Sequence, residues 1–209
     1  MSLHPLRLNC QSQDLFSLKM EPLPSTFYAR DTAQVAKQLL GKLLVRQTPE
    51  GNLVGKIVET EAYYGQGDPA SHSFRGKTRR SAIMWGPPGI CYVYFTYGMH
   101  FLLNVVTEKE GVAGAVLIRA VEPLQGIEIM KKNRKKKALR ELTTGPGRVT
   151  QAFDIDRSFN GHDLTRGEKL YISRGEKKAY EIGCSSRRGI KRGLDKKLRF
   201  FIKGNPFVS

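Results

Sequence analysis

The sequence has little of what marks a disulfide-linked or metal-binding protein. Its three cysteines, Cys10, Cys91 and Cys184, are an odd number at wide spacing, which fits neither a disulfide framework nor a paired zinc site. Its four histidines show no ligand spacing such as HxxxH, which argues against a histidine-rich metal centre. We therefore expect reduced cysteines and no metal or other cofactor.

Long apolar runs are also missing. The opening MSLHPLRLNCQSQ is too polar for a signal peptide. No later segment approaches the roughly 20 apolar residues of a membrane-spanning helix. We expect a cytoplasmic protein that does not associate with membranes.

Acidic residues are few beside basic ones. Nineteen Asp and Glu stand against thirty-five Lys and Arg, so the formal net charge is +16 at pH 7. The positive residues cluster in RGKTRR (75–80), KKNRKKK (131–137) and SSRRGIKRGLDKK (185–197), a distribution that solubility alone does not require. Clustered positive charge favours a polyanionic partner, and phosphate is the natural one.

The length and patterning predict one α+β domain. At 209 residues, 40% of them apolar, the chain can bury one real core. Residues 1–25 are polar and lack periodicity, so we expect a flexible N-terminal segment there. Residues 26–209 contain no internal repeat or linker and should form a single domain.

Periodicity and turn residues place the main elements. Asp31 is a helix N-cap before Val35 and Leu39, and Gly41 is placed to end that helix. Two further helices are predicted over 124–140 and 148–153. The predicted strands are rich in apolar, aromatic and β-branched residues. They are KLLVRQ (42–47), LVGKIVETEAYY (53–64), the stretch 90–107 with a bend at Gly98, GAVLIRAVEP (114–123), YIS and LRFFIKG.

The stretch VETEAYYGQGDPASHS (58–73) places acidic residues in a basic chain. Side chains two apart on a strand share a face, so Glu59, Glu61 and Tyr63 project together. Taken alone, the pattern is explained more simply by a solvated carboxylate at Glu61 than by a catalytic one. We assign Glu59 a structural role.

The stretch YVYFTYGMH (92–100) alternates along a strand and then bends. For Tyr92 and Phe95 a packed aromatic core is the favoured interpretation, and alternation puts Phe95 and Tyr97 on one face. An aromatic residue beside Gly98 at a hairpin bend tends to protrude. On a basic protein such a ring can wedge between bases, which makes Tyr97 a candidate for contact with nucleic acid.

Arg119 lies inside the apolar run AVLIRAVEP. A buried strand tolerates an arginine only if it meets an anion, so a carboxylate partner is the natural inference. An arginine on an edge strand that faces solvent explains the same pattern equally well.

These stretches, together with VLIRAVEPLQG, TGPGRVTQAFDI and LRFFIKGNPFVS, resemble in order and spacing the alkyladenine DNA glycosylase family, the mammalian type of 3-methyladenine DNA glycosylase. The resemblance runs from about residue 25 to the end of the sequence. It implies a curved antiparallel sheet with flanking helices and a protruding hairpin that enters the minor groove. It also implies a monomeric enzyme that needs no cofactor and flips 3-methyladenine, 7-methylguanine, hypoxanthine or ethenoadenine out of double-stranded DNA.

The resemblance also implies residue roles. By position, Glu61 matches the general base that activates a water, Arg119 helps to hold that water, and a backbone carbonyl at Arg188 does the same. Tyr97 matches the wedge that fills the gap left in the duplex. The positions that match the pocket for the flipped base are Tyr63, His72, Tyr94 and Asn104, the last of which screens against guanine's exocyclic amino group.

Two other classes of protein stay open at this point. A non-catalytic DNA-binding protein would use the same charge and aromatic residues without chemistry. A metal-dependent nuclease could use Glu59, Glu61 and Asp68 as magnesium ligands. A zinc deaminase is disfavoured, since the H-x-E and P-C-x-x-C signatures are absent from the sequence.

Overall fold

A curved antiparallel sheet organises the chain, and its longest strand carries the acidic stretch. A computed structural model describes residues 20–176 and 178–209. Within these ranges the strands are β1 (Leu43–Thr48), β2 (Gly51–Tyr64), β3 (Cys91–Thr96), β4 (His100–Val106), β5 (Gly114–Gln125), β6 (Leu170–Ser173), β7 (Ile182–Ser185) and β8 (Arg199–Ile202). The order across the sheet is β3-β4-β5-β2-β1-β6, and β8 pairs with both β2 and β7.

Short helices pack against this sheet. They are α1 (Ser25–Tyr28), α2 (Thr32–Leu39), α3 (Ile127–Arg134), α4 (Arg140–Thr143) and α5 (Pro146–Ala152), with 3-10 turns at Ala82–Trp85 and Arg157–Phe159. The result is the single α+β domain with a curved antiparallel sheet and flanking helices that the sequence predicts.

Strand β2 is the axis of the sheet. One edge pairs with β5 along nearly its whole length, and the other edge pairs first with β1 and then with β8 at residues 59–61. The register with β5 shifts on both sides of Glu59, which is where β8 takes over from β1. Irregular pairing of this kind re-aims side chains, so the acidic residues lie where three strands meet.

The helix predicted from Asp31 is confirmed as α2. The Asp31 carboxylate accepts a hydrogen bond from the Gln34 N–H, and Val35 and Leu39 are buried. Gly41 has φ +83°, which glycine adopts without strain and which turns the chain into β1. The Thr60 hydroxyl donates to the Ala36 carbonyl at 2.8 Å, so α2 is fixed directly behind the acidic stretch.

Three elements differ from what the sequence predicts. The predicted helix 124–140 is shorter because Gly126 and Lys135 both have left-handed backbones, at φ 74° and φ 52°. Helix α5 begins at Pro146, two residues before the predicted start, since proline suits the first helical turn. Strand β7 was missed because its short sequence IGCS lacks alternation.

Phe95 is not part of the core. Its side chain is 43% exposed and packs against Phe101 at a centroid distance of 5.0 Å, whereas Tyr92 is buried as predicted. Phe95 lies near the tip of the β3–β4 hairpin, where the edge strand extends beyond the core, whereas Val93 on the same face is buried.

The N-terminal segment is described only from residue 20. Pro22 forms a bridge with Ser173, and the buried Leu23 donates its N–H to the Ile172 carbonyl at 2.8 Å. The predicted flexibility of residues 1–19, and the state of Cys10, lie outside the described residues. Cys91 and Cys184 are free thiols. No helix within the described ranges has the length and hydropathy to cross a membrane.

Phe153→Ala should destabilise the domain by about 3–5 kcal/mol, because the ring is fully buried and leaves a cavity. The Phe153 ring packs against Gly55 of β2, in space that a larger residue would occupy. A Cβ at Gly55 would lie 3.0 Å from Phe153 Cζ. Urea unfolding measures the loss. Phe74→Ala removes the same ring from a 37% exposed site and should cost far less, so equal losses would contradict the packing described here.

Candidate active site

A cavity of about 340 Å³ opens where β2, β4 and β5 meet the β3–β4 hairpin. This volume lies within the usual range for small-molecule sites. The structure brings most of the candidate residues to its wall, namely Tyr63, His72, Tyr94, Tyr97, Asn104 and Arg119, with Arg188 beside them. Glu61 is the exception, since it lies behind this wall.

Beneath the cavity, buried carboxylates and guanidinium groups neutralise one another. Glu59 Oε1 accepts from Arg119 Nε at 2.9 Å and from Arg199 Nε at 2.5 Å. Its other oxygen accepts from the Ser209 N–H at 2.7 Å. The inferred carboxylate partner of Arg119 is therefore confirmed, and β5 lies inside the sheet rather than at its edge. We refer to Glu59, Glu61, Arg119 and Arg199 as the acid centre.

Glu61 is fully buried and held from three sides. Its Oε1 accepts from the Arg188 backbone N–H at 2.7 Å and lies 3.3 Å from Arg119 Nη1. Its Oε2 accepts from the Tyr63 hydroxyl at 2.7 Å. Burial and the nearby Glu61 charge raise the pKa of Tyr63, so the phenol remains a donor. Tyr63, Arg119 and Arg188, the three residues that contact Glu61, all line the cavity.

A cluster of aromatic side chains, His72, Tyr92 and Tyr94, lies on the opposite side of the cavity. His72 Nδ1 lies 2.9 Å from the Tyr92 hydroxyl, and the His72 and Tyr94 rings meet edge to face at 4.7 Å. The Arg80 guanidinium covers the Tyr94 ring at 4.9 Å. His72 keeps an exposed edge at the cavity mouth, but partial desolvation and then the charge of Arg80 lower its pKa to about 4. Its imidazole is neutral at pH 7.

Asn104 is held at the inner end of the cavity. It is buried on β4, and its Nδ2 donates to the Tyr92 carbonyl at 3.0 Å. This bond fixes the plane of the amide against the cavity. A rigid amide at this depth gives the cavity a defined edge on that side.

The hairpin tip presents Tyr97 to solvent. Tyr97 and Gly98 have φ of 53° and 68°, and the Met99 N–H donates to the Thr96 carbonyl at 3.2 Å, as in a tight two-residue turn. The Tyr97 side chain is 75% exposed, in agreement with the predicted protrusion. Strict alternation grouped it with Phe95, which was wrong, because the left-handed backbone turns it to the cavity side.

Several residues of the site were not predicted. Arg199 carries the same signal as Arg119, a charge within an apolar strand, and could have been found in that way. Asp68 was considered only as a magnesium ligand, and neither its buried pairing with Arg187 nor the contact of Ser209 carries a local signal. Their partners lie more than a hundred residues away in the chain.

The three carboxylates of the nuclease alternative are not available as a set. Glu59 and Glu61 are paired with arginines of the acid centre, and Asp68 is paired with Arg187. Within residues 20–176 and 178–209, no three His, Cys, Asp or Glu side chains are grouped as a metal site requires. The ligand set that this alternative needs is therefore missing from that part of the chain.

A comparison with protein families decides the class. The family model described as Methylpurine-DNA glycosylase matches residues 26–206, nearly the whole chain. The chain belongs to the methylpurine-DNA glycosylase family. At the level of class it is a DNA glycosylase, a hydrolase of DNA repair. The resemblance of its motifs to this group of glycosylases is thereby confirmed.

Curated relatives match over most of their own length. A protein of Carboxydothermus hydrogenoformans is 55% identical over 188 residues, covering 90% of this chain and 98% of the relative. One of Chlorobium phaeovibrioides is 48% identical over 91% of this chain and 97% of its own. One of Mesorhizobium japonicum is 47% identical over 90% of each. Each is named "Putative 3-methyladenine DNA glycosylase".

Arg80→Gln should raise the pKa of His72, because the repelling guanidinium is removed while the desolvation remains. The new value should stay below the ordinary 6.5. An NMR titration measures the pKa of His72 in the unaltered protein and in Arg80→Gln. The His72 signal is identified by its absence from the spectrum of His72→Gln. Arg79→Gln is the matched control and should change little. A His72 that titrates near its ordinary value in the unaltered protein would contradict the site geometry.

Proposed function

We propose that this glycosylase flips a damaged purine from duplex DNA into the cavity and hydrolyses its N-glycosidic bond with water activated by Glu61. One observation carries the proposal: a buried carboxylate, hydrogen-bonded to an aromatic wall residue, lies directly behind the wall of a cavity of base size on a strongly basic protein. Alkylated and deaminated purines are the substrates that this arrangement suits.

Base flipping requires a surface that compensates for lost stacking. Extruding a base costs a few kcal/mol, and less when the base is damaged or mispaired. Stacking on an aromatic side chain is worth about 1–3 kcal/mol per base. Tyr63 and Tyr94 on two sides of the cavity, with His72 at its mouth, offer such faces. Tyr97 at the exposed tip would fill the gap in the duplex and slow the return of the base.

Cleavage of the glycosidic bond develops positive charge on the sugar, and a carboxylate stabilises that charge and accepts a proton from water. The oxygen of Glu61 that meets Tyr63 has only this uncharged donor, so it can exchange the phenol for water when a base enters. The other oxygen stays fixed by Arg188 N–H and Arg119. In this proposal the attacking water binds the Glu61 oxygen that the phenol leaves, and Arg119, which also lines the cavity, helps to hold it.

Selection against normal guanine can rest on Asn104. Its amide is fixed by the Tyr92 carbonyl and cannot turn away from an incoming base. An exocyclic amino group at that edge would lose its hydrogen bonds to water and meet the rigid amide instead, which is costly for a buried polar group. Purines without this group, such as hypoxanthine, enter without that cost, whereas 7-methylguanine bears it as guanine does.

Glu61→Gln should abolish base release while lesion binding is retained. The amide keeps the shape but cannot accept the proton or offset charge on the sugar, and proton transfer alone contributes roughly 100-fold to 10,000-fold. Single-turnover excision and duplex binding with one hypoxanthine measure the two effects. Glu141→Gln, on α4, is the control for the loss of one negative charge and should excise normally. Near-normal excision by Glu61→Gln would refute the assignment, and absence of free base from the unaltered protein would leave a DNA-binding protein without catalysis.

Tyr97→Ser should weaken capture of flipped lesions without lowering thermal stability, because the ring contributes to the exposed hairpin tip and not to the core. Fluorescence of a base analogue beside the lesion reports the flipped fraction, and thermal unfolding reports stability. Val112→Ser, at another exposed turn, is the control for an apolar surface residue. A large drop in melting temperature for Tyr97→Ser would assign the ring to packing instead.

A further inference from the structure

A buried ion pair lies directly behind the cavity wall. Arg187 donates from Nη1 and Nη2 to the two carboxylate oxygens of Asp68, at 2.6 Å each, and both side chains are inaccessible to solvent. Burial alone would lower the pKa of Arg187, but its hydrogen bonds to Asp68 and the Asp68 charge raise it. The guanidinium is therefore charged, although it is buried.

The same guanidinium covers a ring of the cavity wall. Arg187 Cζ lies 4.6 Å from the centroid of the Tyr63 ring. Tyr63 lines the cavity and Arg187 does not, so the cation lies on the buried side of the ring and a flipped base would stack on the other. The order from the interior outward is then Asp68, Arg187, Tyr63 and the base.

A cation on one face of an aromatic ring polarises the ring and weakens the attraction of the other face for a second cation. This matters because purines alkylated at a ring nitrogen, such as 7-methylguanine, carry a formal positive charge, whereas hypoxanthine is neutral. Behind the ring, where Asp68 and Arg187 are inaccessible to solvent, such a charge effect is weakly screened. Only a negative partner for Arg187 relieves it.

We propose that Asp68 is a specificity-determining residue, which neutralises Arg187 behind Tyr63 and thereby lets the Tyr63 ring accept positively charged purines. The proposal rests on the proposed function, since it assigns a substrate preference to the same cavity. Other charged groups near the ring do not take this role. Glu61 meets the hydroxyl at the ring edge and is itself paired with Arg119.

The test compares two lesions in one duplex sequence. Excision of 7-methylguanine and of hypoxanthine is measured at subsaturating enzyme, and the ratio of the two rate constants is the readout. Asp68→Asn leaves the guanidinium unneutralised and should lower the ratio of cationic to neutral excision roughly 3-fold to 30-fold. Asp154→Asn, at an exposed position, makes the same change in net charge and should leave the ratio unaltered.

Two further variants keep the test decisive if Asp68→Asn does not fold. Arg187→Gln leaves the Asp68 carboxylate, which still accepts from the Tyr64 and Ala70 N–H groups, and should raise the ratio. The double variant Asp68→Asn/Arg187→Gln is neutral behind the ring and should return the ratio to that of the unaltered protein. Circular dichroism and thermal unfolding identify the variants that fold.

The outcomes separate this inference from the function on which it rests. A merely structural ion pair would reduce excision of both lesions by the same factor in every variant, and an unchanged ratio would overturn the inference. A ratio that moves in the same direction in Asp68→Asn and Arg187→Gln would overturn it as well. If the unaltered protein releases neither base, the proposed function itself fails.

Discussion

The pairing of Arg119 with Glu59 and Glu61 is the interaction on which the site depends. A buried carboxylate without a partner would not stay ionised, and breaking a buried ion pair by removing one partner costs about 3–5 kcal/mol. The acid centre contains two carboxylates and two guanidinium groups, so its formal charges cancel in the interior of a protein of net charge +16. Neutrality there lets Glu61 be buried close to the cavity without an unpaired charge.

The fold supplies this pairing through β2. Because β5 runs along one edge of β2, Arg119 faces the carboxylates of the acidic stretch, and β8 brings Arg199 from the other edge. The shifts in register around Glu59 occur where these strands meet. The hairpin β3–β4 extends the same sheet, so the exposed tip and the buried Glu61 belong to one continuous hydrogen-bonded structure.

The sequence predicts what local pattern governs. Alternation placed Glu59, Glu61 and Tyr63 on one face, and a charge in an apolar strand indicated the partner of Arg119. Local patterns could not predict pairings between distant segments, such as that of Asp68 with Arg187, because each residue alone resembles a charged surface residue. Phe95 was predicted in the core because alternation does not reveal how far along a strand the core extends. Left-handed residues such as Lys135 ended a helix that composition favoured.

The acid centre has a consequence for the order of synthesis. Glu59 is followed by Arg199 after 140 residues and by Ser209 after 150. Translation proceeds from the N-terminus, so the strand that holds the carboxylates exists long before the groups that complete their pairing. Until Arg199 has been synthesised, Glu59 lacks one of its two guanidinium partners, and burial of its carboxylate is more costly. The nascent chain therefore cannot complete the acid centre before β8 has been made.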